Sequence, residues 1–325
     1  MQLAHSFFVR LAATAAAAAA LALPAAAQQP ARISITTGGT GGVYYPMGGG
    51  MANILSKYLP GLTATAEVTG GSVDNLRLIN AGKSEVAFSM ADAGWDAYQG
   101  VDKFKDGKVN ARTLMVLYPN KTHVVTIESS GINKLADLKG KRVSTGSPGS
   151  GTEILAFRIL EAAGIDGKKD LKQERLGAAE SVNAMKDRKI DAFFWSGGVP
   201  TAAVTDLAAT PGIKMKLIDH DEVVDALNKQ YGPLYVKAVI PAGAYPGQDK
   251  PNAELDVWNI LVASDKMSDK MAYDIVRTLF EKKAELVAVH KEAENIDLKS
   301  QGIQTPLPFH PGAKKYLEEK GIKVH

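Results

Sequence analysis

Residues 38–50 read GGTGGVYYPMGGG and follow the alternating segment RISIT at residues 32–36. The alternation predicts a strand, the glycines predict a loop, and Pro46 is predicted to be the first residue of a helix with one apolar face. Glycine lets a backbone come close to a ligand, and the free N–H groups at a helix start attract negative charge. The stretch therefore indicates an anion site, although a tight βα turn without a ligand explains a single occurrence equally well.

The same pattern occurs a second time, in RVSTGSPGSGT at residues 142–152. Ser150 and Glu153 have the spacing of a capping box, which places the start of the second helix at this loop. The segments that follow the two loops also correspond, because ERLG at residues 174–177 lies 107 residues after EVTG at residues 67–70. This offset indicates two similarly built α/β lobes, each of which presents a glycine loop.

The N-terminus has the pattern of a secretory signal peptide. Arg10 precedes an apolar run at residues 11–23, and residues 25–27 read AAA, which fits an A-x-A cleavage site. A membrane anchor is the alternative, but a spanning helix needs about 20 apolar residues, and this run is shorter and is followed by Pro24. We therefore predict a cleaved signal peptide over residues 1–27 and export to the periplasm.

The composition excludes several classes of function. The 325 residues carry a formal net charge of +3 without a block of like charges, so the chain lacks the electrostatic footprint of a nucleic-acid-binding protein. Cysteine is absent, which removes thiolate metal sites and thiol catalysis and leaves an exported protein to be stabilised by its core. No later segment is long and apolar enough to span a bilayer. We expect a soluble monomer that binds no nucleic acid.

Strand and helix signals divide the mature chain into two lobes. In the first lobe, three strands lead through short turns into helices, and such turns gather at the carboxyl ends of parallel strands, where open α/β folds bind ligands. The β-branched segments at residues 113–128 and 234–241 are predicted to cross between the lobes, and residues 254–263 to add a strand to the first lobe. Two crossings make a hinge. The predicted boundaries are residues 28–122 and 238–325 for the first lobe and residues 123–237 for the second.

The loops do not satisfy the nucleotide-binding motifs that they match in part. Gly146 and Gly151 have P-loop spacing, but Thr152 stands where that motif requires a lysine. Tyr44 replaces the third glycine of the dinucleotide fingerprint, and no G-x-S-x-G segment occurs. The histidines of the mature chain are scattered, without a metal-binding spacing. We therefore expect no catalytic residue, no metal and no cofactor.

Some side chains near the loops leave alternatives open. Asp92 follows a strand end, where it can act as an acid or base or cap a helix. Trp195 can stack on a ligand or pack in the core of its lobe. Of Tyr44 and Tyr45, one is expected to face the core and the other the loop.

Four segments, in this order, resemble the TAXI family of solute-binding proteins, which serve tripartite ATP-independent periplasmic (TRAP) transporters. They are TGGTGGVYYP at residues 37–46, TGGSVDNL at residues 69–76, SPGSGT at residues 147–152 and IPAGAYPG at residues 240–247. The resemblance implies a type II periplasmic-binding-protein fold, two lobes that close on one solute, and delivery of the solute to a membrane permease driven by an ion gradient. Ligands of the family include glutamate and related carboxylates.

The resemblance also implies which positions contact the solute. They are Thr40, Gly41, Tyr45, Ser72, Asn75 and Ser89 in the first lobe and Ser147, Gly149, Ser150, Gly151 and Trp195 in the second. The loops add Gly42 and the hydroxyl group of Thr152, and the strand end adds Asp92. No arginine lies within the loops, so we nominate no guanidinium clamp and expect Arg77, Arg112 and Arg158 in solvated or salt-bridged positions, with the alternative that Arg158 or Arg77 reaches inward.

The function expected from these features is binding without catalysis. The solute is predicted to be a small organic anion, such as glutamate or a dicarboxylate, held by backbone N–H and hydroxyl groups. Two alternatives stay open: a periplasmic enzyme that acts on a small anion in the same cleft, and a receptor that delivers its ligand-bound form to a membrane kinase. Turnover would identify the enzyme, and neighbouring genes for a large permease would argue against the receptor.

Overall fold

The computed structural model describes residues 31–303 and 305–324 and has the predicted two-lobed α/β architecture. The predicted signal peptide at residues 1–27 lies outside the described residues. Every helix of the described part is too short or too polar to cross a membrane.

The first lobe begins with a strand, a loop and a helix, repeated three times. These elements are β1 (Ala31–Thr36), α1 (Tyr44–Tyr58), β2 (Leu62–Glu67), α2 (Ser72–Asn80), β3 (Val86–Met90) and α3 (Ala91–Gln99). Met47, Met51 and Leu55 are buried, so α1 has the predicted apolar face. The helix begins at Tyr44, two residues before the predicted start at Pro46. Proline is tolerated there because the N–H groups of the first turn have no helical partner.

A long strand, β4 (Ala111–Ile127), leads to the second lobe. The elements of that lobe are β5 (Arg142–Ser144), α4 (Gly151–Ala162), β6 (Lys172–Glu174), α5 (Ala178–Lys186), β7 (Ala192–Gly197), α6 (Ala202–Ala208), β8 (Met215–Leu217), α7 (Val224–Tyr231) and β9 (Tyr235–Ile240). The chain returns through β10 (Asn252–Ser264) and ends with α8 (Asp269–Glu281), α9 (Lys283–Val289) and α10 (Pro311–Glu319).

The starts of two helices test the predicted caps. Ser150 caps α4 as predicted, because its Oγ accepts a hydrogen bond from the N–H of Glu153 at 3.0 Å. Ser72 does not cap α2. Gly71 holds the capping position, and Ser72 is the first helical residue, with its Oγ accepting a hydrogen bond from the N–H of Met90 at 3.0 Å.

Within the described residues, ten strands form one mixed sheet in the order β2-β1-β3-β10-β4-β7-β5-β6, with β8 beside β4 and β9 beside β10. The pairs β1–β3, β5–β6 and β5–β7 are parallel, and β4 and β10 run antiparallel to their neighbours. The carboxyl ends of the parallel strands carry the loops that lead into α1, α2, α4 and α5.

The two crossing strands are β4 and β10. Residues 252–257 of β10 pair with β9, whereas residues 259–263 pair with β3 of the first lobe. The return crossing predicted at residues 234–241 is therefore wrong, since this segment forms β9. A β-branched run has the same pattern whether it crosses between lobes or pairs with the strand that crosses. The lobe boundaries themselves stay a prediction.

Separate hydrophobic clusters fill the two lobes. In the first lobe, buried residues such as Ile35, Phe88 and Leu279 pack into one cluster. In the second lobe, Leu155 lies in a cluster on one side of the sheet, and Phe193 lies in another. Each lobe thus has its own core, and apolar contacts also cross between the lobes, because Ile154 packs in the first-lobe cluster and Met90 and Ala91 pack in a second-lobe cluster.

Candidate ligand-binding site

A cavity of about 320 Å³ lies where the two glycine loops meet. It is lined from the first lobe by residues 38–44 and 68–72 with Met90 and Tyr118, and from the second lobe by residues 146–148, 150–152, 175–180 and 195–197. Both lobes therefore enclose one space of the size that holds a small molecule. Among the described residues, no cluster of His, Asp and Glu side chains could hold a metal ion.

The structure brings together most of the residues that the sequence nominated. Those lining the cavity are Thr40, Gly41, Gly42, Ser72, Ser147, Ser150, Gly151, Thr152 and Trp195. Those that do not line it are Tyr45, Asn75, Ser89, Asp92 and Gly149. The contact of each residue with a ligand stays a prediction.

The two adjacent tyrosines take different positions. Tyr45 is 37% exposed and does not line the cavity. Tyr44 does line it, packs its ring against Phe88 at 4.9 Å between centroids, and donates a hydrogen bond to the side chain of Asn259. The sequence predicted that one tyrosine faces the core and the other the loop, and the resemblance nominated Tyr45. The helix starts earlier than predicted, and consecutive helical residues point about 100° apart, so Tyr44 lines the cavity and Tyr45 points away from it.

Asn75 and Ser89 are buried and bond to the backbone. The Nδ2 of Asn75 donates to the carbonyl oxygens of Thr37 and Phe88 at 2.6 and 2.8 Å, and its Oδ1 accepts from Thr69. The hydroxyl of Ser89 donates to the carbonyl oxygen of Met90 at 2.9 Å. Asn75 thus connects the ends of β1 and β3 to the start of α2 and holds the first-lobe loops in place.

Gly149 joins the lobes through its backbone. Its carbonyl oxygen accepts hydrogen bonds from the N–H groups of Val73 and Asp74 at 3.0 and 3.1 Å, and the hydroxyl of Ser147 donates to the carbonyl oxygen of Gly70 at 3.0 Å. Gly149 has φ +77°, and a Cβ there would lie 2.2 Å from Oδ1 of Asp74. These bonds use the first N–H groups of α2 in a contact between lobes, so they are not open to a ligand.

Three other helices start at the cavity wall. The first residues of α1, α4 and α5 all line it. Within the described residues, the N–H groups of Gly151, Thr152, Ala178 and Ala179 donate no hydrogen bond to the protein. Unpaired N–H groups and the helix dipole both favour negative charge at such a position. The wall therefore presents unpaired backbone N–H groups at three helix starts.

The charged side chains stay at the edge of this site. Arg175 and Glu180 line the cavity, but both are exposed, and Arg175 is paired with Glu153. Arg77 donates to the carbonyl oxygen of Lys103 at 2.9 Å, in an exposed position. Among the described residues, Arg175 is the only arginine that lines the cavity.

Two buried hydroxyl groups, those of Tyr118 and Ser196, lie on strands at the cavity wall, which we call the floor, and have no hydrogen-bond partner within the described residues. Tyr118 is fully buried and Ser196 is 8% exposed, and neither hydroxyl oxygen has a hydrogen bond within the described residues. Sequence reasoning missed both as site residues. Tyr118 directly precedes Pro119 and lies where the register of β4 with β10 shifts, and β10 is remote in sequence.

Asp92 belongs to a buried ion cluster between the lobes, which corrects its proposed place in the site. Arg158 of α4 donates to Asp96 at 2.6 Å, and its guanidinium lies 3.7 Å from both Asp92 and Asp102. Tyr235 accepts from Arg158 and donates to Asp92. Burial raises the pKa of Asp96 to about 6, and the pKa of Asp92 is also raised by burial, although Arg158 opposes both shifts.

The fold and the cavity define the class: the chain has the two-lobed fold of periplasmic binding proteins. The chain belongs to the NMT1-like family, whose model matches residues 35–321. It is similar to the periplasmic binding protein BugD, with 13% identity, a TM-score of 0.57, and coverage of 92% of this chain and 99% of that chain.

A second similar structure is a binding-protein component of an ABC phosphonate transporter from Pseudomonas aeruginosa. It has 12% identity, a TM-score of 0.50, and coverage of 90% of this chain and 95% of that chain. Similarities at this level of identity establish the shared fold.

Proposed function

We propose that this chain is an exported solute-binding protein that captures a small organic anion between its lobes. The observation that carries the proposal is the arrangement of the cavity wall, where the starts of α1, α4 and α5 converge and leave N–H groups without partners. The proposed solute is a glutamate-like amino acid or a dicarboxylate. Membership of the NMT1-like family and the fold are consistent with binding rather than catalysis.

The proposed partner is a TRAP-type membrane permease. This part of the proposal rests on the four segments that resemble the TAXI family, which supply both glycine loops of the cavity. We also propose that residues 1–27 are removed on export. Intact mass measurement of the protein from the periplasm should give a chain that begins at Gln28, and a mature chain that begins at Met1 would contradict this.

The number of available donors is sufficient for useful affinity. A hydrogen bond to a charged group contributes about 1.5–3 kcal/mol. Four or five such bonds could give micromolar binding, about −8 kcal/mol, after the loss of translational and rotational freedom. The carboxylate would need no arginine, because the helix starts supply the positive potential.

A calorimetric panel of amino acids, keto and hydroxy acids, dicarboxylates, sugars and phosphates tests the proposal. We expect a carboxylate to bind best, and a neutral sugar or a cation that binds best would contradict this. NMR of the best compound after long incubation with the protein should show no conversion, whereas turnover would favour an enzyme.

A proline substitution tests the role of the helix starts. Ala178→Pro removes a cavity N–H at the first residue of α5, where proline is well tolerated and Gly177 already has extended backbone. We expect carboxylate affinity to fall about 10-fold. Ala202→Pro makes the same change at the start of α6, outside the cavity lining, and Ala178→Val adds bulk but keeps the N–H. If all three variants bind alike, the backbone site is refuted.

A further inference from the structure

The floor of the cavity is polar on one face of the sheet. Ser196 is the register partner of Thr122, so these two side chains share a face, and Tyr118 lies four residues before Thr122 on β4. Buried hydroxyl groups normally have a hydrogen-bond partner. The hydroxyls of Tyr118 and Ser196 have none within the described residues, and both residues line the cavity. A ligand that fills the cavity can supply the partners.

Among the described residues that line the cavity, no acidic side chain lies in the interior, and the carboxylate of Asp74 packs behind the glycine loops, beside Gly70 and Gly149. Glu180 is the only acidic residue of the described lining, and it is exposed at the rim. The nearby buried acids do not line the cavity. Asp92 is engaged by Arg158 and Tyr235, and the carboxylate of Glu292 accepts from the N–H of Val199 at 2.7 Å and from a side-chain amide.

The helix starts also disfavour the binding of a cation in the cavity. Their N–H groups and dipoles place positive potential on the wall, which stabilises a carboxylate and destabilises an ammonium group beside it. An α-amino acid would have to leave its ammonium group desolvated in a space of about 320 Å³ without a counter-charge. A keto, hydroxyl or second carboxylate oxygen instead accepts hydrogen bonds from the floor.

We infer that the solute is a carboxylate without an ammonium group, whose second polar group is an oxygen that accepts hydrogen bonds from Tyr118 and Ser196. This inference rests on the proposed function and narrows it, because it separates 2-oxo acids, 2-hydroxy acids and dicarboxylates from the amino acids. Tyr118 and Ser196 are then specificity-determining residues of the site.

Matched compounds test the inference directly. Calorimetry compares each amino acid with its 2-oxo and 2-hydroxy analogues, namely glutamate with 2-oxoglutarate and 2-hydroxyglutarate, aspartate with malate, and alanine with pyruvate and lactate. We expect the oxygen analogue to bind at least about 10-fold tighter in every set that binds. An amino acid that binds as tightly as its analogue overturns the inference and leaves the proposed function standing. If no member of either series binds, the proposed function itself fails.

Two substitutions test the floor. Tyr118→Phe and Ser196→Ala should each weaken binding of the best 2-oxo or 2-hydroxy acid about 3- to 10-fold. Neither should weaken binding of the analogue that lacks the second oxygen. Tyr316→Phe changes a buried tyrosine of α10 in the first-lobe core and should leave affinity unchanged.

Thermal unfolding separates this effect from a folding defect. The hydroxyl of Tyr118 has no protein partner to lose, so Tyr118→Phe should melt at the wild-type temperature or above it without ligand. Equal affinity of both floor variants and wild type for every compound would overturn the inference.

Discussion

The two lobes meet in two regions that satisfy their buried polar groups differently. In the ion cluster, Arg158 is 4% exposed, and its guanidinium group forms ion pairs with Asp96 and Asp92 and a hydrogen bond with Tyr235. In the cavity, the hydroxyl of Tyr118 and the N–H of Gly151 are among the groups that find no protein partner. The charges of the cluster are paired without a ligand, although the Nε of Arg158 has no hydrogen bond within the described residues, whereas the donors of the cavity wall are left without partners.

We therefore assign the ion cluster to stabilising the contact between the lobes and the cavity to selecting the solute. A buried charge cluster is strongly sensitive to the loss of one member, because the remaining charges stay buried without a partner. A cavity of unpaired donors contributes only when a ligand that fits them is bound. Substitutions in the cluster should therefore change stability most, and those in the cavity should change affinity most.

The largest expected effect is that of Arg158→Met. It leaves the carboxylates of Asp92 and Asp96 buried without a counter-charge and should lower the free energy of unfolding by about 3–5 kcal/mol. Arg277→Met, which removes a partly exposed partner of Asp274, should cost less than about 1 kcal/mol. Urea denaturation measures both, and equal losses would remove the distinction between the cluster and an ordinary surface pair.

Gly42→Ala should weaken the binding of a ligand in the cavity. A Cβ at Gly42 would lie 2.6 Å from the ring of Trp195 across the lobes, and the Nε1 of that ring donates to Thr201 at 2.9 Å. The ring or the lobes must shift, so we expect affinity for the best anion to fall about 10-fold through loss of the closed state. Gly49→Ala, at an exposed glycine of α1 with open space around it, is the control. Unchanged affinity of Gly42→Ala in calorimetry would show that this contact does not limit closure.

The smallest effect concerns pH. The pKa of Asp96 is about 6 in the folded chain against an ordinary 3.8, with burial as the main cause. Because the folded value is the higher one, this carboxyl contributes full stability below about pH 3.8 and loses that contribution as pH rises through about 6.

Asp96→Asn isolates this carboxyl, because the variant cannot titrate at that position. The free energy of unfolding of wild type minus that of Asp96→Asn should therefore fall by about 1–2 kcal/mol between pH 4 and pH 7. Urea titrations at four pH values measure this difference. A difference that grows with pH would mean that Arg158 outweighs burial.

The sequence predicted the parts of the fold that depend on local pattern. Both strand–loop–helix units exist, and the cap of α4 at Ser150 is confirmed, because glycine spacing and caps act over a few residues. The return crossing was misplaced, since β9 and β10 are distinguished only by their partners. Pairing between remote strands leaves no local pattern to read.

The candidate site divides in the same way. The loop residues that line the cavity have the glycine and hydroxyl pattern that the sequence shows, whereas Asn75 came from the resemblance and Asp92 from its position at a strand end. Other residues of the protein occupy the polar groups of Asn75 and Asp92. Tyr118 was not nominated, because a tyrosine in an apolar strand normally indicates a core position. Its hydroxyl has no hydrogen-bond partner within the described residues, and this depends on how β4 lies in the sheet.

A crystal structure of the mature chain with the best-binding compound of the panel tests the central claim most directly. We predict one molecule in the cavity between the glycine loops, with its carboxylate within hydrogen-bond distance of backbone N–H groups at the starts of α4 and α5. A ligand bound outside this cavity, or one whose carboxylate is held by a side-chain cation away from the helix starts, would contradict it.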